Sequence, residues 1–228
     1  RPGTSEAYGG VAYQDYREGI YMGYKWYETA DEMGFWTSDF AKSHWTKPDG
    51  TPINGYNDVV QYPFGYGLSY TSFSWKVTHL SHVPGMTLGA SAIRDESITV
   101  GVEVTNTGNV AGQDVVELYY SAPYKKDGIE KSSLNLLAFG KTTQVLQPGK
   151  SQYVKLEFKI SDMASYDTDN LSGVVPNGGY VMEQGDYVLS LRTDAHTPVS
   201  ADKLIAGNDV KTAEFKFHVG SDTRVLPE

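Results

Sequence analysis

Apolar residues fall at every second position in several short runs. The clearest is Ile98, Val100, Val102 and Val104, followed by Val116, Leu118 and Tyr120, then by Val154, Leu156, Phe158 and Ile160. Tyr187, Leu189 and Leu191 repeat the pattern, and Phe215, Phe217 and Val219 close the series. Side chains on an extended chain point alternately to opposite faces, so such rows demand strands with one face buried. Turn chemistry separates them: Thr105-Asn106-Thr107-Gly108-Asn109, where Gly108 can take positive φ, then Gln147-Pro148-Gly149-Lys150 and Gln184-Gly185-Asp186. No long helical pattern intervenes and no sequence repeat of fixed period is visible. Half-buried strands in this order predict an antiparallel β-sandwich.

The zones ahead of the strands differ. Residues 1–29 are dominated by aromatic rings, with Tyr8, Tyr13, Tyr16, Tyr21, Tyr24, Trp26 and Tyr27. Residues 30–61 form a polar stretch with turn signals at Pro48-Asp49-Gly50 and Asn54-Gly55, and read as a long loop. Loops of that length inside compact proteins are commonly functional or disordered. The start, Arg1-Pro2-Gly3-Thr4-Ser5, has neither an initiator Met nor the pattern of a signal peptide, so the expectation is a piece of a longer polypeptide. No targeting segment is legible, which leaves cytoplasmic and secreted settings both open.

Composition narrows the function classes. There are 19 Lys and Arg against 28 Asp and Glu, a formal charge of −9, with no basic block beyond Lys125-Lys126. Phosphate-backbone binding draws mainly on Lys and Arg, so a nucleic-acid partner is not expected. No apolar run approaches the roughly 18 residues of a membrane-spanning helix, so no membrane partner is expected either. The chain contains no cysteine, which excludes disulfides, thiolate metal sites and cysteine nucleophiles. It also removes the disulfide hallmark of antibody-type sandwiches, and a fibronectin type III-like sandwich is the closer comparison.

Several segments, in order, resemble the C-terminal half of family 3 glycoside hydrolases, the β-glucosidase family. EGIYMGYKWYE (Glu18 to Glu28) is similar to the segment that leaves that family's α/β sandwich domain. YPFGYGLSYTSF (Tyr62 to Phe73) resembles the linker into its fibronectin type III-like domain, and Pro63 with two glycines suits a tight, buried crossing between domains. VTNTGNVAGQDVVELYYSAP (Val104 to Pro123) and LLAFGKTTQVLQPGKSQYVKLEF (Leu136 to Phe158) are similar to that domain's central strands. DMASYD (Asp162 to Asp167) and EQGDYVLSL (Glu183 to Leu191) are similar to its closing portion. The likeness runs over roughly residues 13–219.

The resemblance implies a mainly β chain: a fibronectin type III-like antiparallel β-sandwich over 62–220, preceded over 1–61 by the C-terminal remnant of an α/β sandwich domain with the long loop 30–61, and followed by a tail or linker over 221–228. It implies a part of a retaining β-glucosidase-type enzyme, which in complete form would hydrolyse terminal β-D-glucosyl residues with a nucleophile and an acid/base carboxyl about 5–5.5 Å apart. In that family one carboxylate belongs to a (β/α)₈ barrel and the other to loops of the α/β sandwich domain. No residue here matches either motif, so no catalytic residue is assigned and the chain alone is expected to be inactive. Its implied partners are those two domains of the same enzyme, whether or not on a separate polypeptide, and the carbohydrate substrate. The barrel would lie before Arg1 or, if the domain order is reversed, beyond Glu228. The alternative is a stand-alone carbohydrate-binding or adhesion module.

Other residues were weighed for chemistry. Glu18, Glu28 and Glu32 lie near aromatics, yet read as surface or structural carboxylates flanking a strand. Asp162, Asp167 and Asp169 lack the order of a calcium loop and read as turn-forming, so no metal is expected. The five histidines show no paired ligand spacing, Gly65-Tyr66-Gly67 lacks the context of a dinucleotide fingerprint, and no cofactor is expected. Asn170-Leu171-Ser172 matches a glycosylation sequon. Trp36 and Trp45, beside Phe35 and Phe40 in the 30–61 loop, are the candidate substrate-binding residues, because aromatic faces suit the C–H faces of sugar rings. The competing reading is that these rings pack the loop onto its own protein.

Overall fold

The computed structural model describes residues 18–205 and 213–225, together with the backbone alone of two short paired strands, β1 (Glu6–Tyr8) and β2 (Val11–Tyr13). The rings of Tyr8, Tyr13 and Tyr16 and the last residues of the tail, 226–228, lie outside the described side chains. Then follow α1 (Tyr24–Glu32), α2 (Asp39–His44), β3 (Phe73–Leu80), β4 (Thr87–Leu88), α3 (Ala90–Asp95), β5 (Ser97–Asn106), β6 (Val115–Ser121), β7 (Asn135–Lys141) and β8 (Ser151–Lys159). The chain closes with β9 (Ser165–Asp167), β10 (Gly179–Met182), β11 (Gly185–Arg192), β12 (Leu204–Ile205), β13 (Glu214–Val219) and β14 (Thr223–Val225).

Two sheets face each other, one in the order β12-β3-β5-β8 and the other β4-β13-β11-β6-β7. The long pairings are antiparallel; among the described residues only the two-residue edge strands β12 and β4 join in parallel. The alternating rows supply the core. Ile98, Val100, Val102 and Val104 of β5 pack with Trp75 of β3, Val154, Leu156 and Phe158 of β8, and the inward residues of β6, β11 and β13. Burying one face of each strand in this way fixes register, because a one-residue slip would turn every apolar side chain to water.

A third, small sheet runs β14-β10-β9. The segment read from sequence as tail thus adds a strand as far as Val225, with Thr223 buried against it. Asp167 closes the turn after β9: its carboxylate accepts hydrogen bonds from the Leu171 and Ser172 amides and the Ser172 hydroxyl. Asn170, in the sequon, takes a left-handed φ of 56° and its Oδ1 accepts from the Val175 amide.

Two glycines in the β5–β6 connection are explained by close approach. A Cβ at Gly108 or Gly112 would run into the Thr71 side chain, so both positions keep room for the strand-entry segment 71–73. That segment is itself tied in by Thr71 Oγ1 donating to Asn106 Oδ1 at 2.8 Å.

The 30–61 stretch contains helix. After α1, a 3₁₀ turn at Phe35–Thr37 leads into α2, whose N-cap Ser38 accepts the Ala41 amide on its side chain, and a second 3₁₀ turn covers Tyr56–Asp58. These pieces close on a core of their own, Ala30, Trp36, Ala41, Ile53 and Tyr56. The sequence shows no periodicity here because each helical piece is two turns or less, too short to display one.

Candidate functional site

Helix α1 is the hinge of the arrangement, and the 3.6-residue repeat divides its side chains between two partners. One face meets the sandwich. The Tyr24 hydroxyl accepts the Leu136 amide at 2.8 Å, and the ring stacks on Phe64 with centroids 4.8 Å apart. Thr29 Oγ1 accepts the Ser133 amide at 2.9 Å, and just ahead of the helix the Tyr21 hydroxyl donates to the Lys131 carbonyl. The other face, with Trp26 and Ala30, carries the 30–61 segment.

Glu28 joins all three parts. It is buried, accepts the Tyr56 hydroxyl on Oε1 at 2.5 Å, and meets His196 Nδ1 through Oε2 at 3.0 Å. The Tyr56 and His196 rings lie parallel at 3.7 Å. His196 is in turn oriented by its amide donating to Asp194 Oδ1. Burial and the neighbouring Glu28 carboxylate push the Tyr56 hydroxyl well above the usual tyrosine range, so it stays a donor. Sequence reading placed Glu28 and Glu32 beside a strand; they lie on a helix, four residues apart. The constellation was not legible in the chain because Glu28 and His196 are 168 positions apart.

A second buried carboxylate, Glu117 of β6, lies under the linker. Gly65 sits against it with φ 86°, and a side chain there would overlap the carboxylate. The Tyr119 hydroxyl donates to Glu117 Oε2 at 2.8 Å, while burial pushes the Glu117 carboxyl up. Above it runs the linker whose sequence suits a crossing between domains. Tyr62, Phe64, Tyr66, Leu68 and Tyr70 are all exposed among the described residues, Leu68 at 88% and Tyr70 at 98%.

The two tryptophans singled out by sequence have different surroundings. Trp36 is 3% exposed; its indole N–H donates to the Tyr27 carbonyl, and Trp26, Tyr27, Phe35 and Trp45 surround the ring. Trp45 is 41% exposed and stands at the rim beside Phe40, which stacks on His44. Aromatic clustering therefore builds this segment, and Trp45 and Phe40 are the rings it turns outward. Among the described residues no group of three or more His, Asp or Glu is arranged to hold a metal, and no helix is long and apolar enough to cross a membrane.

Residues 114–195 match the fibronectin type III-like domain family. The chain is 37% identical to a β-glucosidase A of Butyrivibrio fibrisolvens over 79% of its own length and 19% of that protein's. Among solved structures, a β-glucosidase from Paenibacillus barengoltzii superposes with TM-score 0.60 at 32% identity, over 93% of this chain and 18% of that one. The chain is thus similar to the C-terminal part of family 3 glycoside hydrolases. β-Glucosidase 3B of Thermotoga neapolitana, solved in complex with glucose, aligns with TM-score 0.57 at 28% identity over 93% of this chain and 21% of its own. This chain thus spans about a fifth of the length of the relatives it matches, and part of its sandwich, residues 114–195, carries the fibronectin type III-like match.

Proposed function

We propose that this chain is the accessory portion of a retaining β-glucosidase, bracing the parts of the enzyme that carry the catalytic carboxylates. The observation that carries the reading is the uncovered aromatic strip Tyr62 to Tyr70, in a chain that spans about a fifth of its β-glucosidase relatives. Three of its rings have fixed neighbours: Tyr24 backs Phe64, whose carbonyl accepts the Ala195 amide, and Tyr62 and Tyr66 lie 5.1 Å apart. A fixed apolar strip of this kind is suited to burial against the (β/α)₈ barrel and α/β sandwich domains, and contiguous exposed apolar surface is a recognised mark of an interface. The chain alone is expected to release no aglycone from an aryl β-glucoside. In the complete enzyme, Tyr66→Ser with Leu68→Ser is expected to lower the inactivation temperature by several degrees, as the loss of about 1–3 kcal/mol of buried apolar contact requires. An unchanged inactivation temperature would remove the bracing role.

The aromatic rim of the 30–61 segment supports a further assignment within the same enzyme, an outer sugar subsite. Trp45 carries it, since Trp36 has its faces covered. Trp45→Ala in the complete enzyme is expected to raise KM for oligosaccharides by about three- to tenfold, the worth of one aromatic contact, while an aryl glucoside is hydrolysed as before. Equal kinetics on both substrates would refute the subsite.

A further inference from the structure

Two adjoining hollows run along the seam between α1 and the sandwich. The larger, about 460 Å³, has Asp31, Arg192 and Glu214 in its walls; the smaller, about 210 Å³, extends to Tyr21 and Met33. Glu32, Ala122, Tyr124 and Ser133 line both, so the hollows form one groove. Its larger part alone falls within the size range of ligand clefts, about 300–1,000 Å³.

We infer that this groove binds a pyranose oligosaccharide, with β-glucosyl units preferred. Tyr124 is 62% exposed and offers a ring to the C–H face of a sugar. Across the smaller hollow, Tyr21 is fixed by its hydroxyl on the Lys131 carbonyl and by edge contact with Trp26. Hydroxyl groups need donors and acceptors interleaved at close range. The Glu32 carboxylate and the Ser133 hydroxyl supply both and have no hydrogen-bond partner among the described residues. Arg192 supplies a prearranged donor: its Nε donates to Ser190 Oγ at 2.8 Å, and Nη1 donates to the Ala195 and His196 carbonyls at 3.0 and 3.3 Å. Locked in this way, the guanidinium loses little rotamer freedom when a ligand arrives.

Charge selects against other occupants. The carboxylates of Asp31, Glu32 and Glu214 oppose a phosphate or nucleotide, and the Arg192 guanidinium in the same wall opposes a metal cation. A neutral polyol satisfies both signs. The choice of a β-glucosyl ligand, though not the groove itself, rests on the proposed function.

Calorimetric or NMR titration of the chain with cellotetraose, laminaritetraose, mannotetraose and xylotetraose tests the assignment. At least one is expected to bind with Kd on the order of 1 mM. Tyr124→Ala and Glu32→Gln, both at exposed positions and with the fold checked by circular dichroism, are each expected to weaken binding about tenfold. Phe139→Ala, at an exposed ring of β7 outside the groove, is expected to leave it unchanged. Binding confined to the mannose or xylose probes would support the groove and count against the β-glucosyl reading. Absence of binding for all four sugars, or binding that survives both Tyr124→Ala and Glu32→Gln, would overturn the inference.

Discussion

Replacing Glu183 with Gln is expected to cost about 3–5 kcal/mol of unfolding free energy, a large share of the roughly 5–15 kcal/mol that holds a domain together. Glu183 follows β10 and forms an ion pair with Lys131 of the β6–β7 connection, with both side chains buried. Lys131 Nζ also donates to the Pro123 carbonyl at 2.7 Å, and Lys125 Nζ lies 4.0 Å from the other carboxylate oxygen. Once the carboxylate is neutral, the Lys131 ammonium remains in a desolvated site with only a carbonyl to meet it. Removing both charges is a different matter. Lys131→Met with Glu183→Leu fills similar volume and is expected to recover most of the loss, since desolvation of the pair offsets much of its attraction. Urea unfolding of the chain, the two single variants and the double variant reads both values. A single-variant loss under about 1 kcal/mol would show the pair to be solvated and energetically minor. The effect reaches the seam, because the Lys131 carbonyl is also the acceptor for Tyr21. Glu183→Gln should therefore expose the 18–34 segment to protease sooner than the parent chain does.

Trp75→Ala is expected to destabilise by about 3–5 kcal/mol, the range for a large aromatic removed from a packed interior. Trp75 is fully buried on β3, and its indole N–H donates to Asp114 Oδ2 at 2.7 Å. Lys203 completes the cluster: its ammonium lies 4.3 Å over the ring and 2.8 Å from the same carboxylate oxygen. Trp75→Phe keeps most of the volume and loses the donor, so about 1.5–3 kcal/mol is expected from the charge-assisted hydrogen bond. Asp114 retains Lys203 in either variant, which keeps the Phe cost below the Ala cost. Thermal melts of the two variants decide the ordering. A Phe variant as unstable as the Ala variant would mean that the hydrogen bond, and not the packing, dominates at this position.

These two clusters mark where sequence reading stopped. The β5 and β8 rows were legible because alternation is a local property, and the strands Ser97–Asn106 and Ser151–Lys159 follow it closely. Strand β7, Asn135–Lys141, was not legible from periodicity, since its residues are half-buried on both faces at the sheet edge and alternate only weakly. Helix α1 was hidden by its aromatics: Tyr24, Trp26 and Tyr27 have strand-like propensity, and Gly23 caps the helix without a side chain to announce it. Lys131 and Glu183 look like surface charges in the chain, 52 residues apart, until the small sheet brings them together.

The sequence by itself determined the sandwich and the likeness it bears. Alternating rows and turn chemistry dictate half-buried strands, and the YPFGYGLSY and VTNTGNVAG segments carry enough specific residues to show the likeness to family 3 glycoside hydrolases. It also led attention to Trp36 and Trp45, without separating a ring that builds a core from a ring that faces solvent. Tertiary structure decided that separation, along with the Glu28–Tyr56–His196 junction, the Lys131–Glu183 pair and the groove beneath α1. The reason is one of range. Periodicity and turn preference act between near neighbours and can be read along the chain, whereas burial and hydrogen-bond partnership depend on which distant segments the fold makes adjacent.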